Sequence, residues 1–382
     1  MNSRVLFYGV FLFLALLSCS HDGNPEIEET GDATLSLRIT IPQIGTKAVG
    51  NSGIGRLYVA IFGTSGENTD KLIVSREVIQ TDIVEDIAPL KAGTIRMLLV
   101  ANAPEGAFDG LTTLDQFLAL TKTIENEDTN PTMSSGVHSY VLKPGRNTIG
   151  LQKEGANQIT ASPVTVYRTI ARVYLNQLFL RPLEEYGDEA SFKLESVFMA
   201  NVKNYSHYIS MEDWGAVEVT DRKLPDFFLT GADPDLEGIY KGGASKLSDK
   251  LRTVYNYDFR TATDGTGLIA NCAANTYTVF ENMQEIIWHT LLILHGTYHY
   301  KDKNGITHDV DTYYPIIVNR QHDEISNVTE HLFVRRNVIY SIDVIIKGPG
   351  SGSPYEPSDG TTLTSMIEVQ AWGEIVENPS ID

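Results

Sequence analysis

Four histidines crowd one part of the chain: His289, His295, His299 and His308. Imidazole is a good zinc ligand, but a zinc site draws three or four ligands from the protein. Along a strand, His295 and His299 would share a face about 13 Å apart at ~3.3 Å per residue, too far to hold one ion. A four-residue turn at Asp302-Lys303-Asn304-Gly305 would set His299 opposite His308. Asp309 or Asp311 would complete the set only after a change of register. Solvated histidines are therefore expected, and no metal. Asp233-Pro234-Asp235-Leu236-Glu237 offers oxygens, but not at the spacing of an EF-hand loop. Gly348, Gly350 and Gly352 have a Gly-x-Gly-x-Gly spacing, yet a phosphate cradle needs a helix N-terminus, and Ser353-Pro354-Tyr355 does not start one. Cys272 reads as a small buried apolar residue. Trp214, Trp288, Trp372 and the eighteen tyrosines could stack on sugar rings, although such aromatics mostly fill β-sandwich cores. No Ser/His/Asp, paired-carboxylate or nucleotide motif stands out. An enzyme is not expected, nor any cofactor.

The residue with the clearest chemistry is Cys19. Residues 5–17 are apolar except for Gly9, and Arg4 is the only charge among the first eighteen. The run is too short for a membrane span, which takes ~20 residues, and suits the h-region of a signal peptide. It ends in Leu16-Leu17-Ser18-Cys19, which resembles a bacterial lipobox. That resemblance implies cleavage before Cys19 and a diacylglycerol on its thiol, the best neutral-pH nucleophile among side chains. An acidic segment without apolar periodicity, 20–32, reads as a solvated tether.

Next, Leu35, Leu37, Ile39 and Ile41 alternate with Ser36, Arg38 and Thr40. This period of two marks a strand with one buried face, a candidate edge strand that Pro42 ends. The loop beyond presents Lys47-Ala48 without regular pattern. A lysine with small neighbours in such a loop suits a trypsin-like protease.

The elements that hold these residues read as mainly β. Strands are expected at 55–62, 71–78, 94–101, 140–142 and 148–151, with Lys143-Pro144-Gly145 as a turn. One short helix is expected within 111–121, capped by Thr113, with Leu114, Phe117 and Leu118 on one face. Short strands at this spacing suggest a β-sandwich. The polar stretch 152–162 places a boundary between domains at 48–155 and 160–382. The second domain has strands at 164–180 and 192–202, then long loops with embedded short strands over 203–275. A hairpin follows, 288–301 and 306–319 around Asp302-Lys303-Asn304-Gly305. After a strand at 337–347, residues 348–361 read as a flexible connection to a last strand, 366–372.

The length of 382 residues suits two domains, and 42% hydrophobic residues allow proper cores. Formal net charge is −19; loss of 1–47 takes five acids and three bases and leaves −17. Such a surface repels nucleic acid and anionic membrane surfaces. With Cys19 assigned to lipid, Cys272 has no partner within the chain and no disulfide is expected.

Lipobox, acidic tether, alternating strand and a Thr46-Lys47-Ala48 loop together resemble the fimbrillin family, the type V pilins of the Bacteroidota. Tyr167-Arg168-Thr169-Ile170-Ala171-Arg172-Val173 is similar to the strand that opens their second domain. Arg336-Asn337-Val338-Ile339-Tyr340 resembles their Arg-Asn-x-x-Tyr motif, and Met366-Ile367-Glu368-Val369-Gln370-Ala371-Trp372 their closing strand. The resemblance implies two transthyretin-like β-sandwich domains with few short helices. It implies a signal peptide at 1–18, a lipidated (palmitate-bearing) propeptide at 19–47, and an outer-membrane precursor that becomes an extracellular fimbrium supporting adhesion. The implied partners are other pilin subunits, a maturation protease, the outer membrane through the lipid, and a host or bacterial surface ligand. One departure stands out: the family's cut usually follows arginine, and here Lys47 holds that place.

Removing 19–47 would take out Leu35, Leu37, Ile39 and Ile41, at ~6–12 kcal/mol for four buried side chains. The groove left behind would need a neighbour's strand, as in donor-strand complementation. Ile367, Val369 and Ala371 alternate as such a donor requires. Two other expectations stand beside this one: an uncut anchor or accessory lipoprotein, and a monomeric glycan-binding surface lipoprotein.

Overall fold

A computed structural model describes residues 31–42, 53–187, 189–209, 227–232, 245–260, 276–282, 288–319, 334–355 and 363–371. In chain order the first half forms β1 (Asp32–Thr40), β2 (Arg56–Gly63), β3 (Leu72–Ile79), β4 (Ile83–Lys91) and β5 (Gly93–Ala101). Helix α1 (Leu114–Ala119) follows, then β6 (Thr121–Thr123), β7 (Met133–Ser134), β8 (His138–Leu142), β9 (Gly145–Ile149), β10 (Asn157–Thr160), β11 (Val164–Thr165) and β12 (Tyr167–Arg168).

Two sheets enclose the first core. One has the order β10-β9-β1-β11 with β4 also on β1; the other runs β12-β7-β5-β2-β3 with β8 also on β5. The apolar runs of β2 and β5 are buried on both faces. Leu57, Val59, Ile61, Met97 and Leu99 face β1, whereas Ala60, Phe62, Leu98 and Val100 face α1. The helix forms where expected. Thr113 and Gln116 make a reciprocal capping box, and Leu114 and Phe117 are buried. Strand β4 is absent from the sequence reading because its buried residues, Val84, Ile87 and Leu90, recur every three positions. Two register shifts against β1 produce that spacing.

The second half comprises β13 (Ala171–Leu180), β14 (Ser191–Ala200), β15 (Val202–Lys203), β16 (Tyr205–His207), β17 (Phe228–Thr230), β18 (Ser245–Leu247) and β19 (Arg252–Arg260). Then come β20 (Thr276–Val279), β21 (Leu291–Lys301), β22 (Thr307–Ile317), β23 (Val338–Ile346) and β24 (Leu363–Ala371). Sheets ordered β20-β13-β23-β24 and β19-β14-β21-β22 face each other across one large apolar core. The expected long loops over 203–275 thus include β19, a nine-residue strand. The expected flexible connection is also corrected at its start. Ser351 exchanges backbone hydrogen bonds with Tyr313, at 2.8 and 2.9 Å, and Tyr355 packs on the outer face of β14 and β21. Gly350 permits this contact, since a Cβ there would lie 2.3 Å from the Tyr313 carbonyl oxygen.

Within and past the polar stretch 152–162, β10, β11 and β12 still pair with first-half strands, and Ala171 opens the second body. The junction is polar and buried. The Asn337 side chain accepts from the Arg168 N–H at 3.2 Å, and the Asn337 N–H donates to the Ile170 carbonyl at 2.6 Å. Asn337 takes φ +58°, a conformation asparagine tolerates well. Arg336, 1% exposed, pairs with the fully buried Glu281 and donates to Ser206 Oγ and the His207 carbonyl. Ser206 lies on β16, which pairs antiparallel with β6 of the first body. There Lys122 forms a second buried pair with Glu127, at 2.6 Å. Burial pushes the Lys122 ammonium down to about 8, against the pull of Glu127.

Candidate assembly groove

Strand β1 is an internal strand, which corrects the expected edge position. It runs antiparallel to β4, with Leu37 opposite Val84 and Leu35 opposite Ile87. On its other side it runs parallel to β9, with Leu35 opposite Asn147 and Leu37 opposite Ile149. Its end, Ile39 and Thr40, pairs parallel with Val164 and Thr165 of β11. Leu35 and Leu37 are fully buried and Ile39 nearly so, while Ile41 is half-buried. Three fully buried side chains contribute roughly 5–9 kcal/mol. A whole domain is stable by about 5–15 kcal/mol, so the first body depends on this strand or a substitute for it.

Polar contacts fix the register of β1. Asn147, buried, donates from Nδ2 to the Thr34 carbonyl at 3.2 Å, a contact with backbone that any strand would offer. The Asp86 N–H donates to Ser36 Oγ at 3.0 Å. At the rim, Lys91 meets Asp32 at 2.5 Å and Arg38 meets Asp82 at 3.6 Å, all largely exposed. Such exposed pairs are worth little in water. Past Thr40, Arg168 donates to the Pro42 carbonyl at 3.3 Å, so the strand's end touches the junction between the bodies. Lys47, Ala48 and Cys19 lie outside the described residues.

The expected donor residues sit in the other body. Strand β24 is antiparallel to β23, with Ile367 opposite Ile342, Val369 opposite Tyr340 and Ala371 opposite Val338. Ile367 packs on the large core. Among the described residues β24 pairs with β23 alone, at the end of its sheet. The groove therefore offers an extended segment ladders on two sides, where the edge offers one.

The remaining candidates resolve differently. In the hairpin Tyr300, not His299, stands opposite His308. His295 bonds to Asp311 at 2.8 Å, His299 pairs with Asp309, and His308 bonds to Asp302 at 3.2 Å. These are separate pairs, and no group of three or more potential metal ligands occurs among the described residues. Trp288 stacks on Phe228 with centroids 5.3 Å apart, inside a small apolar cluster. Gly348 approaches the Tyr186 ring, 2.4 Å from where a Cβ would sit, so this glycine serves close packing. Cys272, Trp214, Trp372, Asp233, Asp235 and Glu237 lie outside the described residues. Sequence reasoning missed the Ser36–Asp86 contact. Its only trace is a hydroxyl residue in mid-strand.

Comparison with known proteins agrees with this architecture. The family model described as "Major fimbrial subunit protein (FimA)" matches residues 33–168, from β1 through β12. The chain is 26% identical over 410 residues to Fim1C of Parabacteroides distasonis, named provisionally as a fimbrium tip subunit, covering 99% of this chain and 98% of that one. It is 24% identical over 394 residues to the major fimbrium subunit FimA type-2 of Porphyromonas gingivalis, covering 96% of each. Among solved structures, a provisionally named cell adhesion protein of Parabacteroides distasonis superposes with TM-score 0.68 at 25% identity, covering 90% of this chain and all of that one. A fimbrilin of Porphyromonas gingivalis W83 shares the fold, with TM-score 0.65 at 20% identity, covering 91% of this chain and 99% of that one. With two β bodies, an internal first strand and relatives that span nearly its whole length, the chain is similar throughout to Bacteroidota fimbrial subunits, and over residues 33–168 to their FimA family model.

Proposed function

We propose that this chain is the precursor of a cell-surface fimbrial subunit that polymerises by donor-strand exchange. The signal peptide 1–18 directs export, Cys19 carries the lipid that holds the precursor at the outer membrane, and a protease cuts between Lys47 and Ala48. Strand β1 then leaves, and the segment bearing Ile367, Val369 and Ala371 of a neighbour takes its place. One observation carries this reading: β1 is paired along both sides, yet joins the strands that follow it in the chain through 41–55 alone. Cutting that stretch makes an internal strand separable without breaking any other connection. The acceptor lies in the first body and the donor at the end of the second. Contacts of that head-to-tail kind repeat without closing and extend a filament. Relatives named for fimbrial and adhesion roles support a structural rather than an enzymatic task.

The test is the N-terminal mass of the cell-surface form. It should begin at Ala48, and Lys47→Gln should trap a longer, monomeric species. Cys19→Ala should abolish palmitate labelling. Surface protein that still begins at lipidated Cys19 in the wild type would make the chain an uncut anchor subunit.

A further inference from the structure

The groove around β1 is apolar on its inner face, but one polar contact lies within it. Strand β4 bulges where Ser36 stands. Between the pairs Leu35–Ile87 and Leu37–Val84, the single residue Ser36 opposes two, Glu85 and Asp86. Asp86 takes φ +49° there, which turns its N–H off the regular ladder. Its partner is the Oγ of Ser36, at 3.0 Å, and Ser36 is 3% exposed. The other side-chain pairs of β1 lie at the wet rim, and Asn147 reads only backbone. Ser36 is therefore the place where the groove tests side-chain chemistry other than apolar fit.

We propose that the Asp86 bulge selects the strand this groove accepts. That strand needs a hydrogen-bond acceptor at the place of Ser36, flanked by two apolar side chains facing the core. The inference rests on the donor-strand reading and adds a requirement to it. A strand lacking the acceptor would lose this part-buried hydrogen bond to the Asp86 N–H. The chain's own C-terminal segment meets the requirement. Setting Ile367, Val369 and Ala371 at the places of Leu35, Leu37 and Ile39 puts Glu368 at the place of Ser36. A shift of two residues puts Gln370 there. Both accept hydrogen bonds, so a second copy of this chain is the fitting partner.

The test uses the full chain nicked between Lys47 and Ala48, with a fluorophore on the N-terminal amine of the propeptide. A peptide of residues 361–382 is titrated in, and displacement of the labelled strand is followed by anisotropy. The comparison is the same peptide carrying Glu368→Val and Gln370→Val, which keeps or raises strand propensity. Loss of this hydrogen bond should make the valine peptide roughly 2- to 13-fold less potent. A third peptide with Glu368→Ser and Gln370→Val should recover the loss, and the Asp86 amide should exchange slowly with solvent deuterium only in complexes that carry the acceptor. Equal potency of the wild-type and valine peptides overturns the selection while leaving donor-strand exchange standing. Failure of the wild-type peptide to displace the labelled strand overturns the donor assignment, and the selection with it.

Discussion

Leu37→Ala offers a direct measure of how tightly β1 is held. Leu37 is fully buried and packs among Leu57, Val59, Met97 and Leu99. Truncating such a leucine costs about 2–5 kcal/mol through lost burial and the cavity left behind. In the intact chain that loss falls on the stability of the first body. The one tryptophan among the described residues, Trp288, packs in the other body, so intrinsic fluorescence is not the suitable readout of the first. Hydrogen exchange at β2 and β5 amides is the suitable probe. In a chain nicked after Lys47 the same loss weakens retention of the severed strand, by ~30-fold to several thousand-fold. Labelled propeptide should dissociate correspondingly faster from the variant. If the subunit matures as proposed, polymer grown from the variant should match wild-type polymer in thermal and detergent resistance, because residue 37 would leave with the propeptide. Equal release rates from the two nicked chains would refute the claim that Leu37 burial holds the strand. A weakened polymer would show that β1 stays in the mature subunit.

Three further outcomes test the rest of the structure. Glu281→Ala leaves the Arg336 guanidinium buried without its carboxylate and should cost ~3–5 kcal/mol; a loss below about 1 kcal/mol in denaturant titration would argue against the pair's role at the junction. Lys122 is held down to about 8 against an ordinary 10.5, so between these values the unfolded chain binds more protons than the folded one. Stability should therefore rise as pH goes from about 8 toward 10, and Lys122→Met should flatten that rise in melting scans. Gly350→Ala drives a methyl into the Tyr313 carbonyl and should destabilise by roughly 1–3 kcal/mol through overpacking. Gly352→Ala meets open space and should be near neutral by the same measurement.

Local pattern alone determined a good deal of this protein. The alternation of Leu35, Leu37 and Ile39 fixed a strand and its buried face, because side chains in a strand repeat every two residues. Thr113 with Gln116 fixed the start of α1, and the turn at Asp302 to Gly305 fixed the longest hairpin. Family likeness was also carried by short local motifs. Tertiary structure decided what those elements meet. The alternation in β1 says one face is buried, but whether one or two neighbours flank its edges depends on β4 and β9, some 50 and 110 residues away. Strand β4 hid from the sequence because its bulges replace the period of two by one of three, and the bulge that hid it also supplies the Asp86 contact. Lys122, Glu127, Ser206, Glu281 and Arg336 read singly as ordinary polar residues. They form one buried cluster because β6 and β16 pair across the junction. Hydrophobic period reports burial within a few residues of itself, whereas pairing partners and buried charges are set by contacts between segments far apart in the chain.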